Sequence, residues 1–91
     1  MPRYANKQDV NCKQIVEGLR QIPGVTVWPL GGATIDLCVG YKTKNYLFEV
    51  KKPEGKVKLK PSQEKFIENW TGQVNVVREL RDALFILGII K

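Results

Sequence analysis

The chain has 91 residues, 43% of them apolar, which is enough for one small domain with a single core and little stability to spare. Its 15 Lys and Arg against 9 Asp and Glu leave a formal charge of +6, and it contains no histidine. That composition excludes zinc fingers of the Cys/His type, nucleases built on a histidine base, and Ser-His or Cys-His nucleophiles.

Residues 1–8 carry Arg3, Tyr4 and Lys7 without periodicity and read as a loose basic arm. Over residues 9–21, Cys12, Ile15, Val16, Leu19 and Ile22 recur at helical spacing, and Pro23-Gly24 supplies a stop. Residues 25–28 alternate and are rich in β-formers; Pro29 and Gly31-Gly32 break them before a second strand at 35–39. The Gly31-to-Thr34 stretch is either a plain turn or a loop that lets a nucleic-acid backbone approach closely. Residues 40–45 are polar and turn-like, 46–50 form a third strand, and 52–60 make a charged loop holding Pro53 and Gly55.

Pro61 suits the first position of a second helix, with Phe66, Ile67 and Trp70 as its apolar stripe and Gly72 as its end. A fourth strand at 74–77 and a helix at 80–87 before Gly88 complete the chain. The order α-β-β-β-α-β-α predicts one α/β domain over residues 1–91, with a single mixed sheet flanked by helices. Trp28 and Trp70 are expected in the core. The apolar tail from Leu84 to Ile90 exceeds what one helix face needs, and either pairs two copies or caps the sheet. Cys12 and Cys38 lack CxxC spacing and read as buried reduced thiols. No apolar run approaches the roughly 20 residues of a membrane span, so a cytoplasmic, membrane-free protein is expected.

The positive surplus gathers between residues 42 and 65, where Lys42, Lys44, Lys52, Lys56, Lys58 and Lys60 fall. It is read either as a DNA-binding stretch or as a solvated loop that serves solubility.

Side chains alternate faces along a strand, so Glu49 and Lys51 share one side. A hairpin centred between Lys42 and Thr43 would set Asp36 directly opposite Glu49, with Cβ atoms roughly 4.5–5.5 Å apart. Two carboxylates at that range repel unless they share a hard cation. Mg²⁺ suits such a pair, with the Val50 backbone carbonyl and waters as further ligands. Lys51 could then stabilise charge building on a phosphate. Taken alone, Glu49 and Lys51 are also an ordinary ion pair at a strand end, but an acid between Ile35 and Leu37 is poorly explained by solubility.

Asp36 in Thr34-Ile35-Asp36-Leu37-Cys38-Val39-Gly40, Glu49 and Lys51 in Tyr46-Leu47-Phe48-Glu49-Val50-Lys51, and Lys60-Pro61-Ser62-Gln63 at a helix start together resemble the PD-(D/E)xK nuclease superfamily. More closely they resemble small phage-type VRR-NUC (virus-type replication-repair nuclease) domains, over nearly the whole chain. The resemblance implies a restriction-endonuclease-like core (α-β-β-β-α-β) and a Mg²⁺- or Mn²⁺-dependent DNA endonuclease. It further implies branched DNA such as a Holliday junction as substrate, a homodimer, and the cytoplasm of a bacterial host. On it, Asp36 and Glu49 become metal ligands, Lys51 positions the attacking water, and Gln63 stands beside the site. Such domains often add an acid from the first helix, for which Asp9 and Glu17 are the candidates; otherwise these are an N-cap and a solvated face residue. Ile35 stands where the superfamily has its proline, and Lys60 where a Thr or Ser cap is usual. The competing reading is a non-catalytic nucleic-acid-binding module with a degenerate site.

Overall fold

The computed structural model describes residues 10–31 and 34–91; the amino-terminal arm, Asp9 and the Gly32-Ala33 pair lie outside them. Helix α1 spans Val10–Arg20, strand β1 Val25–Pro29, β2 Leu37–Tyr41 and β3 Lys44–Val50. Helix α2 (Pro61–Asn69), strand β4 (Asn75–Val77) and helix α3 (Leu80–Leu87) follow. The sheet is mixed, in the order β1-β2-β3-β4, with β1–β2 and β2–β3 antiparallel and β3–β4 parallel. A parallel neighbour cannot be reached by a tight turn, and α2 supplies the crossover. The expected α/β class, one mixed sheet flanked by helices, is the observed one.

Alternation along the strands divides the two faces of the sheet. Val25, Leu37, Val39, Phe48, Val50 and Val77 point to the side on which α1 packs Cys12, Ile15, Val16 and Leu19 and α3 packs Ala83 and Leu87. Glu49, one residue out of phase with Phe48 and Val50, therefore points to the opposite face, where α2 meets it. Gly88 adopts φ 83° and ends α3 with its N–H directed to the carbonyls of Leu84 and Phe85, the left-handed closure that glycine supplies without strain.

The second strand begins two residues later than 35–39 predicts, because Ile35 and Asp36 are not laddered. The Asp36 carboxylate itself accepts the Val50 N–H at 2.8 Å, at the position where a ladder carbonyl would stand. The turn is also tighter than 40–45: Lys42 and Thr43 alone form it, with φ of 51° and 64°. Both tryptophans depart from the expected burial, Trp28 being 68% and Trp70 46% exposed. Cys12 is buried and Cys38 half-buried. Among the described residues, no helix is long and apolar enough to cross a membrane.

Candidate metal centre

The hairpin register is Leu37↔Phe48, Cys38↔Leu47, Val39↔Tyr46, Gly40↔Asn45 and Tyr41↔Lys44, and one further step sets Asp36 across from Glu49. Asp36 is fixed from two directions. Its backbone carbonyl accepts the Leu30 N–H at 2.8 Å, and its Oδ2 accepts the N–H of Val50. In an extended strand the N–H and C=O of one residue point to the same edge, so the Val50 carbonyl also lies on the Asp36 side of β3. Two carboxylates and a backbone carbonyl thus converge at the carboxyl end of the third strand.

Glu49 is 2% exposed. Its Oε2 lies 3.2 Å from the Lys51 Nζ and accepts the Gln63 amide at 2.6 Å. Its Oε1 is buried without a hydrogen-bond partner. Burial, and after it the negative charge of Asp36, push the Glu49 carboxyl up to about 7 against the opposing pull of Lys51. A buried, unpartnered carboxylate oxygen beside a second carboxylate is what a hard divalent cation would satisfy. The donors are all oxygen, which fits Mg²⁺ or Mn²⁺ completed by waters, and does not fit a soft-metal site. Among the described residues, no group of three or more His, Cys, Asp or Glu gathers.

Gln63 has four partners on three stretches of chain. Its Oε1 accepts from Lys51 Nζ and from the Lys60 backbone N–H, each at 3.1 Å, while its Nε2 donates to Glu49 and, at 3.3 Å, to the Thr34 carbonyl. The bond from the Lys60 N–H is the half of a capping box that the N3 side chain supplies, while the N-cap residue Lys60 makes no side-chain cap bond of its own. Lys51 is held by its side chain through these contacts and by its backbone through Asn11, whose Nδ2 donates to the Lys51 carbonyl at 2.6 Å and to the Arg78 carbonyl at 3.2 Å. No sequence signal marks Asn11: a polar residue beside the core position Cys12 carries no sign of partners 40 and 67 residues away.

Of the candidate first-helix acids, Asp9 lies outside the described residues, and Glu17 is exposed on α1, off the stripe of Cys12, Ile15, Val16 and Leu19 that faces the sheet. The basic stretch divides. Lys52, Lys56, Lys58 and Lys60 are exposed on the segment between β3 and α2 that leaves the site. Lys42 and Lys44 are exposed at the far end of the hairpin, Lys44 roughly 17 Å of strand from Glu49. Lys42 Nζ there sits 5.4 Å from the centre of the Tyr41 ring.

In comparisons with protein-family models, with curated proteins and with solved structures, nothing matches this chain.

Proposed function

We propose that the chain is a Mg²⁺- or Mn²⁺-dependent deoxyribonuclease, a structure-specific endonuclease of the VRR-NUC type that hydrolyses phosphodiester bonds in branched DNA such as Holliday junctions during phage replication, recombination or repair. The observation that carries the proposal is the Glu49 carboxylate, with one oxygen engaged by Lys51 and Gln63 and the other buried without a partner beside Asp36. When bound, a divalent cation would polarise the phosphorus centre and lower the pKa of a water. Asp36, Glu49 and the Val50 carbonyl would hold it. The Lys51 ammonium would neutralise charge building on phosphate oxygens, and Gln63, bonded to both Lys51 and Glu49, would keep the two in register. The lysines from 52 to 60 would track the DNA backbone, in the cytoplasm of a bacterial host.

A four-way junction is cut at two symmetric phosphates, which a two-fold pair of chains would match. The apolar end of α3, where Phe85 is 64% exposed beside Ile86 and Ile90, offers a surface for such pairing. Light scattering should find a dimer at working concentration; monomer alone would remove this part of the proposal.

Only two carboxylates gather among the described residues, and that favours a second reading, a non-catalytic nucleic-acid-binding module. Incubation with junction, flap, linear and single-stranded DNA, in Mn²⁺, in Mg²⁺ and in chelator, separates the two. The nuclease should cut at least one substrate in metal and none in chelator. Lys51→Ala should slow it by roughly 10²–10³-fold, the usual cost of removing a charge-stabilising donor. Cutting that survives Glu49→Ala, or no cutting of any substrate by the native chain, would sink the nuclease reading.

A further inference from the structure

The apolar stripe of α2 does not enter the main core: the buried residue of this helix is Gln63, and Phe66 and Trp70 are not among the side chains packed around the sheet. Trp70 is instead a half-exposed ring packed against its own helix. One side of its ring stacks on Phe66, with centroids 5.1 Å apart and planes inclined by 16°. Gly72 backs its edge so closely that a Cβ there would lie 2.8 Å from Trp70 Nε1. A large aromatic with one face covered by its own helix and 46% of its surface exposed is costly to leave bare unless something covers the other face.

Ser62, Phe66, Asn69 and Trp70 follow one another at helical spacing along one stripe of α2, and with Thr34 and Lys65 they line a concavity of about 360 Å³. Among the described residues, no acidic side chain lines it. The concavity adjoins the candidate metal centre through Thr34, whose carbonyl accepts the Gln63 amide that also binds Glu49. The helical rise puts Trp70 about 10 Å along the axis from Gln63, a distance that two consecutive nucleotides of an extended strand span.

We infer that this ledge is a base-stacking subsite, which takes one unpaired nucleobase of a single-stranded segment whose neighbouring phosphate lies at Glu49 and Lys51. The inference rests on the nucleic-acid reading of that site. It selects among substrates, because a base inside a duplex already has both faces stacked and cannot cover Trp70, whereas an unpaired base at a junction, flap or single strand can. Lys65 supplies the cation for the adjoining phosphate, and Ser62 and Asn69 border the base without reading a particular sequence.

The test is binding in chelator, so that cleavage plays no part. With a labelled single-stranded oligonucleotide and a hairpin duplex followed by anisotropy, Trp70→Ala should weaken single-strand binding roughly tenfold. It should leave duplex binding unchanged, while Trp70→Phe retains most of the affinity and Trp28→Ala all of it. The native chain gives a readout that no folding defect can mimic: on a strand trimmed to the length of the bound segment, which can sit in one register only, a scan of single abasic positions should place the loss at one position. Equal single-strand affinity for native and Trp70→Ala chains, equal losses on strand and duplex, or an abasic scan with no preferred position would each overturn the subsite. A native chain that cuts nothing but shows the Trp70-dependent, single-position loss removes the nuclease reading and leaves the subsite standing.

Discussion

Glu49 shows how far one residue's chemistry follows from position. Alternation along the third strand and a two-residue hairpin centre were sufficient to set it opposite Asp36, because a slip of one residue would have thrown Asp36 to the other face of the sheet. The resemblance implies that Gln63 stands beside the site, but not its four partners, which come from the β1–β2 connection, the end of β3 and the turn before α2. Such convergence belongs to tertiary structure alone. Its sequence signal was the Pro61-Ser62-Gln63 helix start, which marks a first turn without saying what lies in front of it. The raised Glu49 pKa has a definite sign. Its ordinary value is 4.5 and its folded value about 7, so between these the folded chain holds a proton that the unfolded chain has lost. Stability from this group therefore falls as pH rises through that window and levels off above about 7. In chelator, Glu49→Gln should gain stability relative to the native chain across the same window, by on the order of a few kcal/mol at most. Urea unfolding at pH 5 and pH 8 measures it, and a difference independent of pH would contradict the assignment.

At the scale of elements, type and order were legible and edges were not. Strong period-2 and helical patterns placed all seven elements, whereas β2 starts at Leu37 because a side chain, not a backbone group, continues the ladder at Asp36. A similar substitution occurs on the other edge of β3, where the Gln73 amide accepts from the Leu47 N–H and donates to the Leu47 carbonyl before β4 begins. Helical periodicity identifies the apolar stripe of α2 but not what covers it, and Trp70, expected in the core, does not join it. The Lys42-Thr43 turn carries two non-glycine residues in the left-handed region, a conformation costing roughly 1–2 kcal/mol per residue and worst for a β-branched side chain. Asn and Gly are preferred at these two turn positions. Lys42→Asn with Thr43→Gly should therefore stabilise the chain by about 1 kcal/mol and raise the melting temperature by roughly 4–8 °C. Calorimetric melting checks this, and an unchanged or lower melting temperature would show that the turn is held by contacts outside its backbone.

Over the whole molecule, the sheet separates packing from chemistry. Helices α1 and α3 close one face into the core, which leaves the other face to carry Glu49 and α2, and the β3–α2–β4 crossover brings Gln63 back across the end of β3. In the sequence the lysines from Lys42 to Lys60 form one basic stretch; the fold sends Lys42 and Lys44 to one end of the hairpin and the residues from Lys52 onward to the other. Net charge predicts a polyanionic partner, but only the second group is positioned to guide it to the carboxylates. The central claim is that Asp36 and Glu49 form a cation site, and calorimetric titration of the folded chain with Mn²⁺ at pH 8 tests it most directly. The expected result is saturable binding of one ion per chain, abolished by Glu49→Gln and by Asp36→Asn while both variants remain folded. Mn²⁺ binding that is absent from the native chain, or equally strong in Glu49→Gln, would contradict it.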